Sequence, residues 1–412
     1  MKLTARTIQN TPCHYITTKQ FKTRIITIRF LSDINKETVT AQSLMLSMLK
    51  AKNRVYKSRT IQSRYLESLY DTIFAASPSK IGTKRVLAFS MVVVDDNYVQ
   101  APLFEKALHF LRDAFMQPDF DEALLREEKQ FLKDYFKSEY ANKTRYATKQ
   151  YTKHLMKNHP HGIHSLGDID AIDAVDLEAI EAAYHHMLTN SSTFISVVGN
   201  IDVDTVHQQI ASILPLQSVA LKPPIIVPYT FEAIENVKET YDVTQHRIFT
   251  ALKSDVYYRD QDYFDMLVFN ALFGEGSDSM LFKTVREAQA LAYYVHSTYS
   301  PFTGIVTMTS GVDGKNVQKT FEAMDGCLSQ IQRNAFSDED LDLAKTALIQ
   351  QIKQSYDMPG NLSIKALRSA LFSIPFTEDD IIETIAKVKR ERVVDIAKKL
   401  RVIFRYELGG AA

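Results

Sequence analysis

The segment 285–293, VREAQALAY, carries two side chains that could act on a carbonyl group. Arg286 offers a guanidinium, whose N–H donors form a rigid fork that suits carbonyl oxygens. Tyr293 offers a phenol, which can donate a hydrogen bond to a carbonyl oxygen as negative charge develops on it. A simpler structural interpretation is equally open. Arg286 would then be a helix-end arginine paired with Glu287, and Tyr293 a strand residue of the core.

Histidines at two places in the first half could bind a metal ion. His159, His161 and His164 cluster in one loop, but nothing places a catalytic glutamate beside them, and a loop with proline and glycine favours turn or surface histidines. His185 and His186 are neighbours on a predicted helix, where adjacent side chains point about 100° apart and cannot easily share one ion. We therefore predict no metal site at either place.

The composition is that of an ordinary soluble globular protein. A chain of 412 residues exceeds the ~250–300 residues at which single cores stop growing, so two or more domains are expected. The 49 basic and 49 acidic residues cancel, which argues against nucleic acid as a partner. No run approaches the ~18–20 apolar residues of a membrane helix, and no signal-peptide core is present, so we expect a cytoplasmic protein without membrane insertion. Cys13 and Cys327 form no C-x-x-C pair and indicate buried thiols.

The order of predicted elements repeats at about half of the chain length. A strand pattern at 22–30, KTRIITIRF, returns at 246–252, HRIFTAL, and in both halves a helix, a pair of strands and a long amphipathic helix follow. These elements are expected at 41–50, 84–94 and 103–116 in the first half, and at 263–273, 292–312 and 317–332 in the second.

The repeat predicts an α+β fold of two homologous domains, each a mostly antiparallel sheet packed with several helices. The first domain is expected at 1–212 and the second at 231–412. A proline-rich linker is expected between them, over 213–230.

This order of elements resembles the pitrilysin/insulinase family of zinc metallopeptidases, the inverzincins, over nearly the whole chain. A glycine and serine turn at 274–282, GEGSDSMLF, leads into 285–293, which is similar to the family's R-E-x-x-G-L-A-Y segment. The sequence HP at 159–160, LGD at 166–168 and VVGNID at 197–202 are similar as well.

The segment departs from the family pattern at two residues. Met280 stands where an arginine is usual, and Ala290 stands where the family has glycine. Alanine resists the positive φ that glycine allows, so the loop before Tyr293 is expected to differ slightly.

Active members of this family carry H-x-x-E-H on a helix of the first domain, with two histidines as zinc ligands and the glutamate as general base. The corresponding positions here are Ser43, Leu46 and Ser47. Because no histidine occurs between His14 and His109, a shift of a few residues does not restore the motif. The resemblance therefore implies a chain without its own zinc.

The family's third zinc ligand, a glutamate on a later helix, corresponds to Glu128. A single carboxylate is a poor zinc site, because catalytic zinc normally has three protein ligands. The simpler interpretation is a solvated helix glutamate paired with Lys129 or Lys133.

The resemblance also implies roles for Arg286 and Tyr293. In active members an arginine and a tyrosine face the zinc across a chamber built from two half-shells, where they hold the peptide and stabilise the oxyanion. This chain would then be one half of the clamshell in a bacterial heterodimer, and its homologous partner would carry H-x-x-E-H and the zinc. The expected substrates are small unfolded peptides, held by strand addition at a sheet edge.

Two alternatives stay open. The chain could be a catalytically inactive peptide-binding or scaffold subunit of a larger complex, in which Arg286 is dispensable. It could also be a self-sufficient peptidase with an unfamiliar metal site around His159 to His164.

Overall fold

The computed structural model describes residues 1–216, 219–227, 229 and 234–410. They form two compact units, each built on one sheet. The first unit comprises Met1–Ser138, Ile163–Ile225 and Tyr356–Ser373, and the second comprises Glu139–Gly162, Ile226–Ser355 and Ile374–Ala412. The boundaries expected from the sequence stay a prediction, and residues 217, 218, 228 and 230 of the expected linker lie outside the described residues.

The strands follow the repeat predicted from the sequence. Those of the first unit are β1 (Lys2–Ile8), β2 (Thr11–Thr17), β3 (Thr23–Asp33), β4 (Ile73–Ile81), β5 (Lys84–Val94) and β6 (Ser192–Gly199). Those of the second unit are β7 (Glu235–Thr240), β8 (His246–Lys253), β9 (Ala292–Ser300), β10 (Ile305–Val312) and β11 (Arg401–Gly409).

The two sheets share one topology. The first has the order β1-β2-β6-β3-β5-β4 and the second the order β7-β11-β8-β10-β9. In each sheet one neighbouring pair is parallel, β2 with β6 and β11 with β7, while the other pairs are antiparallel. Apart from β1, the second sheet repeats the first strand for strand, which confirms the predicted α+β fold of two similar domains.

The helices also correspond between the halves. In chain order they are α1 (Val39–Ala51), α2 (Arg59–Ser68), α3 (Leu103–Met116), α4 (Glu122–Ala141), α5 (Lys143–Leu155), α6 (Leu177–Asn190), α7 (Val203–Ile213), α8 (Tyr263–Phe273), α9 (Val317–Gln332), α10 (Asp338–Tyr356), α11 (Pro359–Phe372), α12 (Glu378–Ala386) and α13 (Arg390–Lys399). A π-helical segment, Phe282–Ala288, stands where the first half has α2.

The core of the first unit lies between one face of its sheet and the helices α1, α3 and α6. Alternate residues of β5 face it, among them the buried Leu87, Phe89 and Met91, because side chains on a strand point to opposite faces in turn. The helix α3 presents Phe104 and Leu108, one helical turn apart, to the same core. This packing fixes the orientation of α1, the helix that carries Ser43, Leu46 and Ser47.

Each sheet is also covered by a helix from the other half of the repeat. The helix α5 packs on β8 and β11, where the hydroxyls of Tyr151 and Thr307 lie 2.9 Å apart. The helix α11 packs on β6, where Ser363 Oγ accepts a hydrogen bond of 2.8 Å from the buried Arg29. Among the described residues, no helix combines the length and apolar character needed to cross a lipid bilayer.

Candidate functional site

Arg286 lies on the π-helical segment Phe282–Ala288. The wider π turn is continued by the N–H of Gln289, which donates to the carbonyl of Thr284 at 3.1 Å, and such turns are frequent at functional sites. The exposed guanidinium lies over the ring of Phe282, 4.7 Å from its centroid. No ion pair joins Arg286 to the described Glu287, so the predicted alternative of a surface pair between them is wrong.

Ala290 sets the path of the chain from this segment into β9. Its φ is +49°, in the left-handed region that favours glycine. The next N–H, of Leu291, donates to the carbonyl of Val285 at 3.0 Å. The chain thus keeps, with an alanine, the positive φ that glycine allows.

Tyr293 is the second residue of β9, the edge strand of its sheet. Its side chain is 58% exposed, so the alternative of a core tyrosine is wrong. Its hydroxyl donates a hydrogen bond of 2.8 Å to Oδ1 of Asp313, which follows β10 directly. This hydrogen bond and the negative charge of Asp313 raise the pKa of Tyr293 above its usual value. Asp313 was not predicted as a site residue, although an acidic residue directly after the strand that pairs with β9 is a possible hydrogen-bond partner for Tyr293.

The three positions predicted to correspond to the zinc motif lie on α1 and are largely buried. Ser43 is 3% exposed and Leu46 is 1% exposed, while Ser47 is partly buried. The hydroxyl of Ser43 donates to the carbonyl of Val39 at 2.9 Å. It also accepts a hydrogen bond of 2.7 Å from Nη2 of Arg85, a side chain with no exposed surface.

Glu128 lies on α4 and is 7% exposed. It forms an ion pair with Arg59 of α2, which also contacts Glu127 at 2.7 Å. Burial raises the pKa of Glu128, and the positive charge of Arg59 offsets part of that rise. The predicted solvated glutamate is therefore wrong.

The two lysines expected beside Glu128 bind elsewhere. Lys133 Nζ lies 2.6 Å from Oδ1 of Asp173, and Lys129 Nζ donates to the carbonyl of the same residue at 3.0 Å. The partner of Glu128 is instead an arginine about 70 residues away in sequence, which helical spacing alone could not indicate.

These residues do not fit a zinc ion. At the positions assigned to the motif, the serine hydroxyls of Ser43 and Ser47 replace the imidazole ligands that zinc prefers, and Leu46 replaces the carboxylate of the general base. A guanidinium also contacts Ser43. Within the part of the chain that the structure describes, no group of three histidine, cysteine, aspartate or glutamate side chains is arranged to bind a metal.

The histidines near residue 160 make local contacts. The rings of His159 and His161 stack with centroids 5.1 Å apart, and His159 Nε2 donates to the carbonyl of Val227 at 3.1 Å. His164 packs on the ring of Phe136, with centroids 5.5 Å apart. Both cysteines are buried free thiols, as predicted.

Comparison with known proteins places these features in a family. Residues 174–348 match the model of the peptidase M16 inactive domain. Over 406 residues the chain is 27% identical to the probable inactive metalloprotease YmfF of Bacillus subtilis strain 168, a match that covers 96% of this chain and 95% of YmfF.

Two solved structures are similar in fold over their whole length. A conserved protein of Enterococcus faecalis V583 has 26% identity and a TM-score of 0.91, with 99% of both chains covered. A peptidase M16 inactive domain of Pseudomonas fluorescens has 17% identity and a TM-score of 0.81, with 100% of this chain and 98% of that chain covered. The resemblance found in the sequence is confirmed: the chain is similar over nearly its whole length to M16 proteins described as inactive, in the group of the pitrilysin- and insulinase-like peptidases, and no H-x-x-E-H occurs in its sequence.

Proposed function

We propose that the chain is the non-zinc-binding subunit of a heteromeric M16 peptidase in the cytoplasm. A homologous partner with H-x-x-E-H would bind the zinc, and this chain would complete the partner's site in trans with Arg286 and Tyr293. The main support is a contrast within the chain. The zinc-motif positions on α1 are filled and buried, whereas the side chains of Arg286 and Tyr293 are exposed on the segment that leads into an edge strand.

The two exposed side chains offer complementary chemistry. The guanidinium of Arg286, placed over Phe282, presents several N–H donors that can hold the carbonyl oxygens of a peptide. The phenol of Tyr293 can donate to the oxyanion that forms when water attacks a peptide carbonyl, and such donors act most strongly in a chamber without bulk water. The zinc and the attacking water would belong to the partner.

Small unfolded peptides are the substrate class that fits this arrangement. Strands β4 and β9 are sheet edges, so their backbone groups can pair with an added extended peptide. Main-chain pairing tolerates many sequences, because it uses groups that every residue has.

The test begins with purification of the tagged chain from its native host and mass spectrometry of the proteins that co-purify. We expect an H-x-x-E-H homologue in a ratio near one to one. The two purified chains are then assayed on a quenched fluorescent peptide, separately and mixed, with and without a zinc chelator. Activity that needs both chains and zinc supports the proposal. Self-association alone, or an unrelated partner and no activity, would favour the catalytically inactive peptide-binding or scaffold subunit instead.

A further inference from the structure

Arg85 is a buried cation on the core face of the first sheet. It shares that face of β5 with Leu87, Phe89 and Met91, because these residues alternate along the strand. Its side chain has no exposed surface, and Nη2 donates to Ser43 Oγ at 2.7 Å. The guanidinium thus contacts the position where active relatives place the first zinc-binding histidine.

The hydrogen bond to the Ser43 hydroxyl leaves most N–H donors of the Arg85 guanidinium without an acceptor in the described part of the chain. Among the described residues, Nε and Nη1 of Arg85 are buried without a hydrogen-bond partner, and no carboxylate forms an ion pair with it. The residue opposite it on β4 is a second base, Lys80. Burial lowers the pKa of Arg85 to about 10, so the group stays charged near neutral pH. Burying a charge without a counter-charge is costly.

The carboxylate that corresponds to the third zinc ligand is also engaged by an arginine. Glu128 pairs with Arg59, and the positive charge of Lys50 on α1 acts on it as well. Lys50 lies one helical turn beyond Leu46 and Ser47, so a charge that acts on Glu128 comes from the helix that carries the motif positions.

We propose that the guanidinium of Arg85 occupies the place of the metal beside α1. Its presence prevents divalent cations from binding in the first domain, even when the lost ligands are restored. The inference rests on the assignment of Ser43, Leu46 and Ser47 to the zinc motif. A histidine at position 43 would extend into the space that Nη2 fills, and the fixed positive charge would oppose a zinc ion at short range.

The test measures zinc in the isolated full-length chain, so it does not depend on any partner. The variant Ser43→His/Leu46→Glu/Ser47→His is loaded with zinc, freed of excess metal and analysed by elemental mass spectrometry. With Arg85 intact we expect almost no bound zinc, and with Arg85→Ala added we expect about one zinc ion per chain. Stoichiometric zinc in the variant that keeps Arg85, or none in a folded variant that lacks it, would overturn the proposal.

Arg29 provides the matched control. It is equally part of the first sheet and buried, but it lies on the other face and donates to Ser196 and Ser363. Arg29→Ala in the three-residue variant is expected to leave zinc binding absent. Gain of zinc in this control would mean that loosening of the sheet, rather than removal of the Arg85 charge, opens the site.

A second pair of variants tests the buried charge without relying on the multiple replacement. Ser43→Asp places a carboxylate beside the Arg85 guanidinium, and Ser43→Asn has almost the same shape without the charge. We expect the aspartate variant to have the higher Tm at neutral pH, with the difference shrinking as the carboxylate is protonated in acid. A lower Tm for the aspartate variant at neutral pH would show that no cation is available at this position.

Discussion

The hydroxyl of Tyr293 donates its hydrogen to Oδ1 of Asp313 at 2.8 Å. A phenol has one hydrogen to donate, so in this arrangement the hydroxyl cannot also donate to a substrate oxygen. The register shift between Gly311 and Val312 of β10, opposite the start of β9, accompanies the approach of the two side chains. Asp313 therefore holds the phenol in an exposed position and keeps its proton engaged.

The bond to Asp313 should be visible in the ionisation of Tyr293. Because the hydrogen bond and the charge of Asp313 raise the pKa of Tyr293, Asp313→Asn is expected to shift this ionisation to lower pH, toward the ordinary value of about 10. The measurement is the tyrosinate absorbance during an alkaline titration, with the titration of the matching Tyr293→Phe variant subtracted to isolate one residue among the others. An unchanged midpoint in Asp313→Asn would contradict the contact.

Turnover by the assembled peptidase should depend on the same hydroxyl, which in the proposed complex exchanges Asp313 for the oxyanion as its acceptor. Tyr293→Phe removes only the hydroxyl, and loss of one oxyanion donor typically lowers kcat by about 10²–10³-fold. We expect such a fall in kcat without loss of the complex on gel filtration.

The neighbouring Tyr294 is the control for that experiment. Its hydroxyl is buried and has no hydrogen-bond partner among the described residues, whereas the side chain of Tyr293 is exposed. Tyr294→Phe should therefore leave kcat unchanged. Equal activity of the wild type and Tyr293→Phe would remove Tyr293 from the proposed site.

Local patterns were enough to predict most of the fold. The helices expected at 103–116 and 317–332 have those bounds in the structure, because helical spacing is a property of neighbouring residues. The segment 84–94, expected to hold a pair of strands, is instead the single strand β5, and its partner β4 lies before it at Ile73–Ile81. What local patterns could not supply was the partner of each helix. The sequences of α5 and α11 show that one face of each helix is apolar, but they do not indicate which sheet that face packs on. The packing depends on contacts distant in sequence, such as that of Ser363 with Arg29.

The same limit explains what the sequence analysis missed in the first domain. The loss of the zinc ligands at Ser43 and Ser47 and of the general base at Leu46 is evident in the sequence, but the arginine that contacts Ser43 is not. Arg85 has the same strand parity as Phe89 and Met91, which is a signal of burial, but an arginine near a strand end is ordinarily exposed. Only the approach of α1, about 40 residues earlier in the chain, makes it a core residue.

Replacement of Ala290 by glycine should stabilise the chain. A non-glycine residue in the left-handed region, here with φ of +49°, destabilises the folded state by about 1–2 kcal/mol. Glycine removes this strain, but part of the stabilisation is lost because glycine makes the unfolded chain more flexible. Ala290→Gly is therefore expected to raise the free energy of unfolding by up to about 1 kcal/mol, measured by urea denaturation. Ala288→Gly, an equally exposed alanine within the π-helical segment, should destabilise instead. A loss of stability in Ala290→Gly would contradict the backbone geometry at this residue.

Neutralisation of Glu128 should stabilise the fold in a pH-dependent way. Burial raises the pKa of Glu128 above its unfolded value. The favourable contribution of Glu128 to the free energy of unfolding is therefore fully present below the unfolded pKa of about 4.3, and it is lost as the pH rises through the folded pKa. Glu128→Gln stays neutral at every pH, and Arg59 keeps its contact with Glu127. The Tm of Glu128→Gln should thus exceed that of the wild type at neutral pH, and the difference should shrink below the unfolded pKa.

The control is Glu127→Gln, which removes the exposed partner of the same arginine and should show no such gain. A lower neutral-pH Tm for Glu128→Gln would mean that the ion pair with Arg59 outweighs the cost of burying the carboxylate.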